Sequence, residues 1–195
     1  SLQAQIKPHF LYNTLDVIKW MILDKNPDDS VWMVNALSRY LRMSINKGEA
    51  IVPLSDELDL TRTYLGIMQK RFSHQFEVEY DLDQAAMECL IPKLSLQPLV
   101  ENCFVHGFKG KTGDYKVRID ICHKNGDITV LICDNGKGME SAQMEKLNAE
   151  MEKGENYIAS GHTGLLSASC RLKEKYPGAY VRIEQGQWFC VKVSI

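Results

Sequence analysis

The sequence has almost no net charge: 23 Lys and Arg stand against 25 Asp and Glu over 195 residues, leaving −2, and the two signs are interspersed. Such a balance gives no basic face for a phosphate backbone, and nucleic-acid binding is disfavoured. No apolar run reaches the roughly 18 to 20 residues that span a bilayer, and no signal peptide heads the chain, so this piece is expected to be soluble. CxxC spacings and tight Cys/His clusters are absent, which removes the usual zinc frameworks. The six cysteines, Cys89, Cys103, Cys122, Cys133, Cys170 and Cys190, sit singly in apolar or strand-like runs and are expected to be buried, reduced thiols of a cytosolic protein. Repeats and low-complexity tracts are also missing. Neither a GxxxxGK[ST] loop nor a GxGxxG fingerprint occurs, so the two commonest phosphate-binding loops are excluded. The chain lacks an initial Met and begins a few residues before its first helix, so it is expected to be cut from something longer.

What is present starts with "QIKPHFLYNTLDVIKWM", Gln5 to Met21. Pro8 is tolerated in the first turn of a helix, whose leading N–H groups have no partner, so a helix is expected to begin there. Phe10, Leu11, Thr14, Leu15, Ile18 and Met21 recur at helical spacing on an apolar side, while His9 and Asn13, four apart, share another face. After a turn at Asp24–Ser30, the residues Val31, Val34, Leu37, Leu41 and Ile45 predict a second amphipathic helix over Val31–Ile45. Ser55 with Asp56 and Glu57 starts a third, with Leu58, Tyr64, Leu65 and Met68 buried, to about Arg71.

Beyond Phe72 the character changes. "FEVEY" alternates as a strand, a helix is expected from about Ser95 to His106, and Asn125-Gly126 joins two strands as a hairpin. A charged segment, a loop, a helix over Gly164–Lys175 and two final strands complete the chain. The expectation is a helical region, residues 1–71, followed by an α+β domain, residues 72–195, with one mixed sheet and helices on one face.

Three stretches of this second part place small or polar residues where packing alone would place apolar ones. In "LVENCFVHG", Glu101, Asn102 and His106 form a polar stripe; a solvated helix face capped at Gly107 would look similar. An Asn oxygen can complete an octahedral Mg²⁺ shell beside phosphate oxygens and waters, and Glu101 could orient or deprotonate a nucleophile. In "DNGKGM", Asp134 ends a strand, where a carboxylate can accept from an exocyclic amine, and Gly136 and Gly138 allow close approach of a flat ring; an ordinary Asn-Gly turn is the alternative. "SGHTGLLSAS" runs a glycine-containing loop into a helix, whose first N–H groups suit phosphate.

"PHFLYN", "LQPLVENCFVHG", "DNGKGM" and "GHTGLLSASCRL", in that order, resemble the sensor histidine kinases of the LytS/YesM class, with their GHKL (Bergerat-type) ATP-binding α/β sandwich. The resemblance covers nearly the whole chain, including "VPLSDELDLTRTYLGIMQKRF", similar to that class's linker helix. It implies autophosphorylation on His9 by ATP, then transfer to a response regulator aspartate. It implies Glu101 as an assistant and Asn102 as the Mg²⁺ ligand, while helical spacing makes Asn13 a polar neighbour of His9 one turn away. His106 would lie near the phosphates, Asp134 would bind adenine with Gly136 and Gly138 shaping the floor under its ring, and Gly161, Thr163, Gly164 and Leu165 would form the phosphate side. A homodimer, and an upstream transmembrane sensor region with this piece on the cytoplasmic side, are implied too. His162 and Ser167 depart from the usual Gly-x-Gly-Leu-x-Asn, so ATP binding is a safer expectation than fast phosphorylation. The alternative is a GHKL-fold ATPase or nucleotide-binding scaffold in which His9 accepts nothing.

Overall fold

The computed structural model describes residues 8–45, 50–72, 75–108, 114–153 and 163–195. They fall into two compact units, one of residues 1–49 with 59–75, the other of residues 50–58 with 76–195. Among the described residues no helix is long and apolar enough to cross a membrane.

The first unit holds α1 (Pro8–Leu23), α2 (Pro27–Ile45) and most of α3 (Leu54–Arg71). α1 begins at Pro8, where the free N–H argument puts it. It buries only Phe10, Thr14 and Ile18, and Thr14 returns its hydroxyl to the Phe10 carbonyl at 2.7 Å. Leu15, expected on the apolar side, is 49% exposed. α2 starts four residues earlier than the apolar pattern predicts. The Asn26 side chain accepts the Asp29 amide, and two acids follow in the first turn, where the helix dipole favours them. The buried face of α2 is Met33, Leu37, Tyr40 and Ser44, so of the predicted stripe only Leu37 is buried; Val31, Val34 and Ile45 face outward. The reason is aromatic: Phe10 packs on Tyr40 and on Tyr64 of α3, with ring centroids 5.1 and 5.2 Å apart, and fixes which face turns inward.

The second unit is built on a five-stranded mixed sheet of β2 (Phe76–Leu82), β4 (Tyr115–Lys124), β5 (Asp127–Asp134), β6 (Tyr180–Gln185) and β7 (Phe189–Ser194). The strand order is β2-β4-β5-β7-β6, parallel only between β2 and β4. Asn125 and Gly126, at φ 56° and 91°, make the predicted tight hairpin turn. Register aligns Val117, Ile119 and Ile121 with Asp134, Ile132 and Val130, and the latter two with Val191 and Val193. That face is buried, together with Leu99 and Val100 of α4 (Gln97–Asn102), Leu147 and Met151 of α5 (Ser141–Lys153), and Leu165 and Leu172 of α6 (Thr163–Lys175). α5 is the charged segment of the sequence. Its Asn148 pairs with both backbone groups of Ile183, closing part of the β6 edge. Two three-residue strands that alternation does not reveal, β1 (Ile51–Pro53) and β3 (Leu90–Pro92), pair antiparallel.

The cysteine expectation needs correction. Cys133 and Cys190 are direct register partners on the opposite face of the sheet, with Cα atoms 4.1 Å apart, and they form a disulfide. Cys103 is buried; Cys89, Cys122 and Cys170 form no disulfide and are only half-buried.

Candidate functional site

Only two carboxylates are buried among the described residues, Glu57 at 1% exposure and Asp134 at 2%. Asp134 continues the inward series Ile128, Val130, Ile132 along β5, so a charged group stands at the strand end where the next aliphatic would be. Its Oδ1 accepts the Gly136 amide at 2.8 Å. A Cβ on Gly107 would stand 2.5 Å from that same oxygen, and one on Gly136 would stand 2.3 Å from the Gly107 carbonyl oxygen. Backbone therefore closes on the carboxylate from two sides, which only glycine permits. The Lys137 amide donates to the Gly107 carbonyl at 3.0 Å, tying the two segments together. Asn135 turns outward and staples the start of β4, accepting from the Lys116 amide and donating to the Asp114 carbonyl, both at 2.8 Å.

Gly107 arrives there because the predicted helix does not run on as one. After α4 the backbone widens into a π turn, Cys103–Gly107, closed by Phe108 N–H to the Cys103 carbonyl at 3.0 Å. Such insertions gather at functional sites. The turn also brings Cys103 against Asp134: burial first, then the carboxylate's charge and its hydrogen bond, push the thiol well above its ordinary range.

On α4, Glu101 accepts from the Gln97 side chain at 3.1 Å. The Asn102 amide holds a buried nitrogen without a partner among the described residues, an unmet polar capacity that a bound group could satisfy. The His106 side chain and the Thr163 side chain lie outside the described ones, as does Gly161 entirely. Gly164 sits in the first turn of α6, where a Cβ would stand 3.1 Å from Pro98 Cβ, so the third motif docks on the start of α4. Leu165 is buried at 2% exposure, in the core. Gly138 has φ +67° and rests against the Gln185 side chain, which accepts the Met139 amide at 2.9 Å. Its glycine is demanded by conformation and by Gln185. The three motifs thus meet around Asp134 and α4.

His9 and Asn13 lie in the first unit. The Asn13 Nδ2 stands 2.9 Å from His9 Nε2 and 3.1 Å from Nδ1, one turn along an exposed helix face. Sequence reasoning singled out neither Glu57 nor Gln185, and treated Gly107 as a cap; the signal for Gly107 was its position at the end of a helix bearing the polar stripe.

Residues 1–76 match a family model described as histidine kinase, and residues 92–195 match one described as histidine kinase-, DNA gyrase B-, and HSP90-like ATPase. Sensor histidine kinase YesM of Bacillus subtilis is 38% identical over 145 residues, covering 74% of this chain and 25% of that protein. Sensor histidine kinase YpdA of Escherichia coli is 34% identical over 184 residues, covering 93% of this chain and 31% of that one. The chain spans less than a third of the length of either relative. Among solved structures, the catalytic domain of histidine kinase ThkA shares the fold, with a TM-score of 0.52 at 15% identity, over 74% of this chain and 92% of that one. Histidine kinase AdeS of Acinetobacter baumannii gives 0.51 at 10% identity, over 96% of both chains. The chain belongs to the sensor histidine kinases, and its second unit carries the ATPase domain of the histidine kinase-, DNA gyrase B- and HSP90-like family.

Proposed function

We propose that this chain is the kinase core of a two-component sensor, in which ATP held by the second unit phosphorylates His9 and the phosphoryl group then passes to a response regulator aspartate. The division of labour follows the two units rather than the expected break at residues 71 and 72: residues 1–49 with 59–75 serve dimerisation and phosphoacceptance, and residues 50–58 with 76–195 serve ATP. The observation that carries it is the buried Asp134 carboxylate, closed in by Gly107 and Gly136 at the end of β5. Its Oδ1 accepts the Gly136 amide, and the exocyclic amine of adenine is the donor proposed for the same carboxylate, which can accept several hydrogen bonds.

The phosphates then run towards Asn102, His106 and the start of α6, with Thr163, Gly164 and the Leu165 backbone as their second wall; Gly161 is kept as a proposed phosphate-side residue. No group of three or more His, Cys, Asp or Glu suited to hold a metal ion exists among the described residues. A Mg²⁺ bound here would take Asn102 as a protein ligand beside phosphate oxygens and water, and would supply charge neutralisation on the triphosphate. Glu101 orients the groups beside it.

At His9, the ring nitrogen with the lone pair attacks the γ-phosphorus. The N–P bond forms as the bond to the bridging oxygen breaks, ADP leaves with that electron pair, and the ring proton passes to solvent. Asn13 fixes the ring: its amide can face the imidazole with NH₂ or, after a half-turn, with oxygen, which accepts the other nitrogen's N–H and frees the lone pair. A second copy of the chain packs on the outward apolar residues of α1 and α2, where Ile22, Lys25, Pro27, Ser30, Val31 and Val34 help line a groove of about 610 Å³. An upstream sensor region places the whole at a membrane, with this part on the cytoplasmic side.

Incubation with γ-labelled ATP and Mg²⁺ tests the reading. Label that is base-stable, acid-labile and lost in His9→Gln is the expected result. A wild-type protein that binds no adenine nucleotide overturns it, and one that releases phosphate equally well in His9→Gln without any labelled protein makes it an ATPase instead.

A further inference from the structure

The second buried carboxylate, Glu57, shares none of the hydrogen-bond partners described for Asp134. Glu57 stands in the first turns of α3, within the stretch 50–58 that belongs to the second unit. Its Oε1 accepts the Leu94 amide at 2.6 Å and its Oε2 the Leu96 amide at 3.1 Å; the Ser95 amide bonds to the same carboxylate. From the other side Arg171 of α6 donates Nη2 to the Leu94 carbonyl at 2.7 Å and Nη1 to the Ser167 hydroxyl at 2.6 Å. Leu94 has φ +60°, a conformation that a branched side chain adopts only when its surroundings impose it. Ser95, fully buried, bonds the Pro92 carbonyl at 2.5 Å. The turn 93–96 is therefore held at its donors by one charged group and at an acceptor by another. α4, with Glu101 and Asn102, begins at the next residue, Gln97.

We propose that Glu57 and Arg171 are positioning residues of the nucleotide site: together they hold the turn 93–96 in its left-handed form and thereby set the placement of α4 and of Asn102. An aliphatic side chain would fill the position of Glu57 without removing a charge from water, so packing alone does not account for a carboxylate there. Burial pushes the Glu57 carboxyl up, while the three amides and the Arg171 charge pull it down; the net is upward. Burial lowers the Arg171 guanidinium in turn, and its Nε has no partner among the described residues, so its whole directed capacity goes to Leu94 and Ser167. The stitching around Glu57 has the same direction. Leu54 and Ser55 at the head of α3 donate to the Cys89 and Met87 carbonyls, and β1 pairs with β3, so the head of α3 and the segment 87–96 form one framework. Ser167, where the resemblance expects Asn, is the residue that receives Arg171. The departure thus supplies the guanidinium with a second anchor.

The inference rests on the proposed nucleotide site and is tested separately from it. ADP affinity is measured by calorimetry with Mg²⁺ and again in EDTA, on the full-length protein, for wild type, Glu57→Gln and Arg171→Lys. Glu57→Gln keeps the shape but sets an NH₂ against backbone donors; Arg171→Lys keeps the charge but loses the fork. Both are expected to lose about tenfold or more of the Mg²⁺-dependent gain in affinity, as a slightly misplaced ligand does, with binding in EDTA unchanged. Equal losses with and without Mg²⁺, or none in either variant, overturn the proposal. If Glu57→Gln melts below the working temperature, Arg171→Lys decides alone. Wild type that fails to bind ADP at all brings down the proposed function instead.

Discussion

The Gly136 amide lies 2.8 Å from Asp134 Oδ1, and the Gly136 Cα is so placed that an added Cβ would stand 2.5 Å from that oxygen. A methyl group there must displace both the carboxylate and the Gly107 carbonyl oxygen, 2.3 Å away, and the latter is backbone. Gly136→Ala is therefore expected to lower stability by about 1–3 kcal/mol, the usual range for overpacking, and to weaken adenine nucleotide binding. Gly178→Ala is the control, since no atom lies within 4 Å of its Cβ position. Thermal melts and ADP titrations of the two variants check this.

Asp134→Asn keeps the volume and removes one acceptor. A site that hydrogen-bonds its ligand rejects a mismatch strongly, because the buried group is left unpaired. ATP affinity is expected to fall by at least about tenfold, the equivalent of 1.4 kcal/mol, while the melting temperature moves little. Titration with ATP, set beside GTP, measures whether the preference for adenine goes with the carboxylate.

Much of this architecture is legible in the sequence because its signals are local. Pro8 marks a helix start, Asn125-Gly126 a hairpin, and Asp134 a charge at a strand end. What escapes depends on distant partners. The inward face of α2 is chosen by Phe10 and Tyr64, not by its own periodicity, so Val31 and Val34, inward by spacing, lie outward. α5 shows only Leu147 and Met151 as buried residues among charges, too few to declare a helix. β1 and β3 are three residues each, shorter than any alternation can reveal. Cys133 and Cys190 meet because two strands 57 residues apart share a register. Glu57 reads as an ordinary acid in a helix's first turn; its use emerges only when the turn 93–96 is seen against it.

Cys103 gives a pH signature. Its thiol is held well above its ordinary range by burial and by Asp134, so the folded protein keeps a proton that the unfolded chain releases above about pH 8.5. Unfolding then releases a proton, and stability falls as pH rises through that region. Melts from pH 7.5 to 10 are expected to show a decline that is shallower in Cys103→Ala. Alkylation of native Cys103 at pH 9 is expected to be slow.

Asn13→Ala removes the neighbour 2.9 Å from His9 Nε2 without touching the second unit's residues. Small losses of orientation cost up to about a hundredfold in rate. The rate of His9 labelling is expected to drop by tenfold or more, with the dissociation constant for ATP unchanged. Equal rates in both proteins would remove Asn13 from the mechanism.

Phe10 is the neighbour of His9 in sequence and its anchor in space. Its ring lies 5.1 Å from Tyr40 and 5.2 Å from Tyr64, with the Arg71 guanidinium 5.7 Å away, so helices α1, α2 and α3 all bear on it. Truncating a buried Phe to Ala costs about 3–5 kcal/mol, through lost burial and the cavity left behind. In Phe10→Ala, α1 loses its principal contact, and the phosphoacceptor loses a fixed position even though its own chemistry is intact. The residues assigned to ATP all belong to the other unit. Labelling of His9 is therefore expected to collapse while ADP binding persists, with a lower-temperature transition in calorimetry that belongs to the helical unit. Loss of ADP binding together with the label would mean that the second unit requires the first in order to fold.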